Sequence, residues 1–322
     1  MMQVIVVDPH KNTSLSCCVK GLAKSGLISY HACMERIEPR VILENVRTAL
    51  KEDVGSGDTS ALLLPQDLVW NAAVMMNEPS VLCGQAWFNA CFHELDPNIQ
   101  IDWSFDDGDE VPGNSLICTL RGQARALLTA ERTALNFLQT LSGTATTTHE
   151  YATQLKGSHA RLLDTRKTLP GLRQAQKYAV RCGGGFNHRM GLYDAVMLKE
   201  NHLMSLGSIA EGMLRAAAVS PNIPVIVEVE NLDELQEALD CGAQHVLLDN
   251  FSLDQLNKAV ILRNLAVEQK PGRVCHLEAS GNIDQNNLHA IAGTGVDFIS
   301  MGSLTKHVHA IDFSMRFSSE KD

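Results

Sequence analysis

Long apolar runs, paired cysteines and a surplus of positive charge are all missing from this chain of 322 residues. No stretch approaches the roughly 18 uninterrupted apolar residues of a membrane span, so a membrane protein is not expected. The short N-terminal apolar run "MMQVIVV" has no basic residues before it and is interrupted by Asp8, Pro9 and His10. A signal peptide is built otherwise. Nine cysteines form an odd set with no CxxC spacing, and only Cys17 and Cys18 adjoin. Neither a disulfide framework nor a cysteine metal cluster fits; the expectation is reduced, mostly buried thiols in a cytoplasmic protein. A net charge of -10 leaves no basic domain for a nucleic-acid groove. Apolar content of 45% with 20% charged residues is ordinary for a globular chain of one large or two moderate domains.

Against this acidic background one window is basic. Residues 161–202 hold eight Lys or Arg against the acids Asp164, Asp194 and Glu200, a net +5, so the rest of the chain carries -15. The window closes on "GGGFNHRMGLYDAVMLKENH" (183–202). Such an island suits a small, highly anionic ligand better than a polymer.

Periodicity divides the chain. Residues 1–36 show no clear period and are read as an extension. "RVILENVRTALKED" has helical spacing, "VGSGDTS" ends it, and "WNAAVMM", "SVLCG", "IQIDWSF" and "SLICTLRG" read as short strands. "ARALLTAERTALNFLQTLSG" (124–143) reads as a long helix ended by Gly143, with Arg132 in its middle. Beyond it, six apolar strand candidates alternate with amphipathic helices: 160–165, 194–199, 223–229, 245–249, 273–280 and 297–302. Asn231, three residues before Glu234, and Ser252, before "LDQLNKAVILRN", read as helix caps. That alternation implies a parallel sheet. Asp164, Arg166, Lys199, Glu228, Asp249, Ser280 and Gly302 all fall at or just past strand C-termini, which favours a barrel over a doubly wound sheet. The expected divisions are an N-terminal domain over 37–142, a barrel over 143–304, and a C-terminal segment over 305–322 that packs back on the first domain.

Four clusters carry chemistry. In "LLDTRKTLPGLRQAQKYAV", Arg166 and Lys167 follow a strand directly, and Lys177 lies on the next helix; Arg173 and Arg181 also fit a solvated helix face. In the second cluster the glycine triple alone signals only a tight turn. His188 beside Arg189, with Lys199 closing an apolar strand, says more: a buried lysine needs an anion or a lowered pKa with Schiff-base chemistry. Glu228 and Asp249 end successive strands and fit either Mg²⁺ with a sugar phosphate or counter-ions for the lysines. Of Glu228 and Glu230, only one is expected to face the site. Finally, "EASGNI" and "SMGSLT" place small residues at strand ends, where backbone N–H groups before a helix can meet a phosphate. "VGSGDTS" lacks the lysine of a P-loop, and "GDEVPG" has no lysine for a swinging arm.

The segments "ERTALNFLQTLSGTAT", "DTRKTLPGLRQAQKYAV", "GGGFNHRMGLYDAVMLKENH", "VEVENL", "LLDN" and "EASGNI" resemble the quinolinate phosphoribosyltransferase family, from about residue 37 to the C-terminus. The resemblance implies an N-terminal open α/β domain (α+β, sandwich-like), then an incomplete TIM-like α/β barrel, in a dimer. It implies transfer of phosphoribosyl from 5-phosphoribosyl-1-pyrophosphate to quinolinate, with loss of CO₂, using Mg²⁺ and no organic cofactor. Arg166, His188, Arg189 and Lys199 match residues that hold the pyridine carboxylates, with Thr165 beside them. Arg132 matches an arginine donated across the dimer. Lys167 and Lys177 match groups near the pyrophosphate. Glu228 and Asp249 match the acids around the ribose and metal, while Ser280, Gly281, Asn282, Met301, Gly302 and Ser303 match the 5′-phosphate loops. Lys167, Lys199, Glu228 and Asp249 are the implied catalytic set. Two other readings of the residues remain: a Schiff-base lyase using Lys199, and a non-catalytic relative. Within the family, a transferase preferring a monocarboxylate is the rival.

Overall fold

Pro39 opens α1 (Pro39–Val54), where a proline loses no helical hydrogen bond. The structure is a computed structural model that describes residues 37–270 and 272–319, so the expected extension over 1–36 lies outside the described residues. One tight turn at Ala61–Leu63 leads into β1 (Val69–Met76), β2 (Ser80–Val81), α2 (Gln85–Leu95), β3 (Gln100–Trp103), β4 (Glu110–Val111), β5 (Ser115–Gln123) and α3 (Ala124–Gln154). Then follow β6 (Arg161–Leu163), α4 (Arg173–Cys182), β7 (Val196–Leu198), α5 (Glu200–Leu206), α6 (Ile209–Val219) and β8 (Val225–Val229). The chain closes with α7 (Leu232–Asp240), β9 (His245–Asp249), α8 (Leu253–Glu268), β10 (His276–Ser280), α9 (Leu288–Gly293), β11 (Phe298–Ser300), α10 (Ser303–Lys306) and β12 (Phe313–Ser319).

The first sheet has the order β12-β1-β5-β3 and is antiparallel throughout. Its fourth strand comes from the far end of the chain, with Ala72 opposite Phe317 and Val74 opposite Met315. Helices α1, α2 and α3 share one apolar core with it, including Trp87, Phe88 and Phe92, all fully buried. Each such ring contributes about 2 kcal/mol by leaving water. Periodicity did not anticipate α2. "SVLCG" supplies only the two residues of β2, because Gly84 turns the chain with φ at 119° and the helix begins at once.

A second correction concerns α3, which runs straight through Gly143 for 31 residues. Glycine is there for room, not for termination: a Cβ would lie 2.0 Å from the His309 carbonyl oxygen. The segment before β12 crosses the helix at that point, tied by the Ile311 N–H to the Gln139 carbonyl.

All six expected barrel strands form, in one parallel sheet of order β6-β11-β10-β9-β8-β7. Chain order would close this as a ring, but β6 and β7 do not pair. The barrel is therefore incomplete, and the gap lies between its first two strands. The glycine-rich stretch enters it: Phe186 bridges Leu163, donating to the Leu162 carbonyl and accepting from the Asp164 N–H. Gly183 is needed because a Cβ there would sit 2.2 Å from the Ala145 carbonyl of α3. Strand alternation sends Val227, Val229, Val246, Leu248, Leu277, Ala279 and Ile299 outward to the helices. Ala195, Ile226 and Leu247 fill a small interior cluster. Both expected caps form, with the Asn231 and Ser252 side chains accepting from the Glu234 and Gln255 N–H groups.

Candidate active site

At the C-terminal rim, Thr165, Arg166, Lys167, His188, Arg189, Met197, Glu278 and Ser300 line a hollow of about 340 Å³. Three cations at one strand end repel each other unless an anion joins them. Arg166 shows the effect most directly, since its Nε is buried without a hydrogen-bond partner. Arg189 donates weakly to the Ala195 carbonyl and the Met197 sulfur, and burial, then the nearby Arg166, lowers its pKa. Lys167 is exposed and lies against Gly302, where a Cβ would meet its Cδ at 2.8 Å. Its N–H donates to Thr165 Oγ1. Arg173 is no solvated helix arginine: it donates to Thr168 Oγ1 and to the Met190 and Arg166 carbonyls, fastening two rim loops together.

Lys177 is buried. Its side chain is 1% exposed, paired with Asp164 at 0%, and Nζ also donates to the His188 carbonyl. Asp164 accepts further from Asn187 Nδ2 and the His188 N–H. Burial pushes the Asp164 carboxyl up and the Lys177 ammonium down against their mutual attraction. An interior cation so engaged is a clamp on the loop, not a group at the rim.

His188 is also turned inward. Its Nε2 meets Glu278 at 3.1 Å and its Nδ1 accepts the Arg189 N–H at 2.7 Å, so both ring nitrogens are engaged. Glu278, fully buried on β10, also bonds His245 at 2.7 Å. Burial opposes its charge, yet the two histidines hold its carboxyl well below the usual range. Sequence reasoning missed Glu278 and His245. The logic applied to Lys199, a charge within an apolar strand, would have found the glutamate between Leu277 and Ala279.

Lys199 follows β7, where the Leu198–Val227 pairing places it beside Glu228, and Nζ donates to that carboxylate. Its side chain is 43% exposed, so the buried-lysine expectation is corrected. A half-exposed, paired amine is unlike the desolvated lysine that Schiff-base chemistry favours. His202 Nδ1 accepts the Lys199 N–H. Glu228 and Glu230 both line a second hollow of about 260 Å³ with Glu200 and Glu234. The expectation that one would turn away fails because residues two apart share a strand face. The crowd is felt at Glu230, whose pKa is raised by Glu200 first.

Asp249 ends β9 directly beside Ser280 of β10, which in turn adjoins Ser300. Asn250 knits this edge: its Nδ2 donates to Asp249, its Oδ1 accepts from Asn282, and its N–H donates to the Ser280 carbonyl. Gly281 must be glycine, since its φ is 94° and a Cβ would lie 2.2 Å from Asn250 Oδ1. Asn250 was not singled out, although asparagine tolerates the positive φ of 58° that it adopts. The two loops expected at a phosphate differ. Gly302 precedes α10 directly, and Ser303 Oγ is buried without a partner. Ser280–Asn282 is not at a helix start; α9 begins only at Leu288, after a turn built on Asp284. Met301 has its side chain in the apolar core around the barrel. Arg132 lies exposed on α3.

Glu228 and Asp249 are hard oxygen donors, as Mg²⁺ requires, but no group of three His, Cys, Asp or Glu among the described residues forms a metal cage. That donor set fits an ion that keeps its waters and arrives with a phosphorylated substrate.

The fold and rim define a two-domain α/β protein whose incomplete barrel carries cations and small-residue loops at its C-terminal rim. Residues 58–142 match the family model described as quinolinate phosphoribosyl transferase, N-terminal domain, and residues 144–316 match its C-terminal domain. A probable carboxylating nicotinate-nucleotide pyrophosphorylase of Bacillus subtilis is 38% identical over 82% of this chain and 89% of its own. The carboxylating nicotinate-nucleotide pyrophosphorylase of Mycobacterium leprae is 36% identical over 84% and 95%. The solved structure of the nicotinate-nucleotide pyrophosphorylase from Francisella tularensis is 47% identical, with a TM-score of 0.82 over 88% of this chain and 99% of that one. This chain belongs to the quinolinate phosphoribosyl transferase family. No helix among the described residues is long and apolar enough to cross a membrane.

Proposed function

We propose that this protein transfers phosphoribosyl from 5-phosphoribosyl-1-pyrophosphate to quinolinate, releasing pyrophosphate and CO₂ and forming nicotinate mononucleotide, a step of NAD biosynthesis. The observation that carries the reading is the hollow lined by Arg166, Lys167 and Arg189 in a chain that is acidic elsewhere. Quinolinate brings two carboxylates and its co-substrate a phosphate and a pyrophosphate, so the load and the site match in charge. Arg166 and Arg189 hold the pyridine carboxylates, with Lys199 at the neighbouring strand end, and Lys167 faces the pyrophosphate. The 5′-phosphate lies at Ser280–Asn282 and at the Gly302–Ser303 turn. Mg²⁺ would be held through water and substrate oxygens by Glu228 and Asp249, and supplies charge neutralisation when bound. No organic cofactor is needed.

In the reaction the pyridine nitrogen bonds to the anomeric carbon as the carbon–oxygen bond to pyrophosphate breaks. Fixed cations stabilise the charge that develops on the leaving group, and positioning supplies much of the rest. The alkylated nitrogen then carries a positive charge. It stabilises the electron pair left on the adjacent ring carbon as CO₂ departs, and that carbon takes up a proton. Arg132 completes the site from a partner subunit, so that each site in a homodimer draws on two chains. Among the described residues Cys83, Cys91, Cys118, Cys241 and Cys275 are free thiols, which supports a cytoplasmic setting.

The test compares quinolinate with nicotinate as acceptor under identical phosphoribosyl pyrophosphate and Mg²⁺. Turnover with quinolinate, at a kcat/KM at least a hundredfold above that with nicotinate, is expected. A preference for the monocarboxylate would overturn the assignment.

A further inference from the structure

The floor of the hollow holds a carboxylate, which a site for a dicarboxylate would ordinarily exclude. Glu278 has no exposed surface, and its Oε1 lies buried without a hydrogen-bond partner. Its Oε2 meets Nε2 of both His188 and His245. An ionised carboxylate only accepts hydrogen bonds, so each of those nitrogens must carry a proton. For His188 the second nitrogen is settled too, because Nδ1 accepts the Arg189 N–H and so has its lone pair free of a proton. These two contacts match the Nε2–H tautomer of His188. Its backbone is held as firmly: the N–H donates to Asp164 and the carbonyl accepts from Lys177. Four bonds thus define one residue, and the next residue in the chain carries the Arg189 guanidinium into the hollow.

We propose that Glu278 is a positioning residue for the anion hollow: it fixes the His188 tautomer, and His188 in turn fixes the backbone that delivers Arg189. The proposal rests on the reading that this hollow takes the quinolinate carboxylates. Substituted arginines at the rim would act on the substrate directly; Glu278 acts through Nε2 of His188.

The test uses Glu278→Gln in the full-length protein, a change that keeps shape and one acceptor but removes the charge. Three measurements are made: denaturant midpoint, steady-state kinetics varying each substrate, and long-range proton–nitrogen NMR of the imidazoles, with His188 assigned from His188→Asn. Wild type is expected to show His188 as the Nε2–H tautomer. The variant is expected to keep its midpoint, lose that single-tautomer signature, and lose about tenfold or more in kcat/KM for quinolinate. Its KM for phosphoribosyl pyrophosphate should stay within about twofold of wild type. An unchanged quinolinate KM and kcat, or equal losses for both substrates with a lowered midpoint, would overturn the positioning role. The NMR readout needs no turnover. A wild-type protein inactive on quinolinate but showing the Nε2–H tautomer would defeat the functional reading alone, whereas an Nδ1–H or charged His188 defeats this inference whatever the substrate.

Discussion

Lys177 offers the sharpest quantitative test of the clamp beneath the site. Replacing it by Met keeps the length of an apolar stem but removes one of three donors to Asp164, leaving Asn187 and the His188 N–H. The carboxylate has no exposed surface, so the lost partner is not replaced by water. Breaking a buried pair from one side costs about 3–5 kcal/mol. The pair itself is worth far less, because burial shifts both partners toward their neutral forms. Adding Asp164→Asn to Lys177→Met removes the stranded charge, and the double variant should therefore recover to within about 2 kcal/mol of wild type, the value of the hydrogen bonds still missing. The assay is urea unfolding of wild type, both single variants and the double variant as a cycle. A coupling energy of about 2 kcal/mol or more is expected. Kinetics give the second readout: folded Lys177→Met should lose affinity for quinolinate through the displaced His188–Arg189 loop. If it unfolds like wild type and only the KM for phosphoribosyl pyrophosphate rises, Lys177 touches the pyrophosphate and the clamp argument is wrong.

Arg132→Ala and Arg166→Ala should each be nearly inactive as folded dimers, and mixing them with subunit exchange should restore up to a quarter of the sites; exchanged dimers that stay inactive would show that Arg132 does not cross to a partner. Excess EDTA should abolish turnover and Mg²⁺ restore it, with Asp249→Asn mainly raising the KM for phosphoribosyl pyrophosphate; full turnover in chelator removes the metal role. Asp297 is depressed to about 2, where burial works against its charge but His276, the Leu277 N–H and Arg263 outweigh it. A depressed carboxylate stabilises the fold above its unfolded pKa and loses that contribution as pH falls through the folded value, so roughly 2 kcal/mol should vanish between about pH 4 and pH 2. Asp297→Asn should flatten that acid limb of the urea midpoint, and an unaltered limb would refute the assignment.

Strand positions in the second half were legible because a parallel sheet covered on both faces needs near-continuous apolar runs, and each of the six formed. The rim followed from the same runs, since their polar last residues mark the strand ends. Local signals misled where a neighbour decided the outcome. Gly143 looks like a stop and is a crossing point for the His309 backbone. Helix α2 hides behind a strand-like run: it starts directly after Gly84, and its buried residues are Trp87, Phe88, Cys91 and Phe92. Lys177 on its helix reads as the more open and Lys199 on its apolar strand as the buried one, yet Lys177 is interior with Asp164 and Lys199 is half exposed beside Glu228. The roles of Glu278, His245 and Asn250 lie in contacts between strands, which spacing along one strand cannot register.

The central claim is that nitrogen alkylation precedes loss of the adjacent carboxylate within this one site. It is tested most directly with quinolinate carrying isotopic carbon in the carboxylate next to the ring nitrogen, incubated with the protein, phosphoribosyl pyrophosphate and Mg²⁺. The account predicts label released as CO₂ in one-to-one ratio with unlabelled nicotinate mononucleotide, and none released when phosphoribosyl pyrophosphate is omitted. Label retained in the nucleotide, or CO₂ released without the co-substrate, would contradict it.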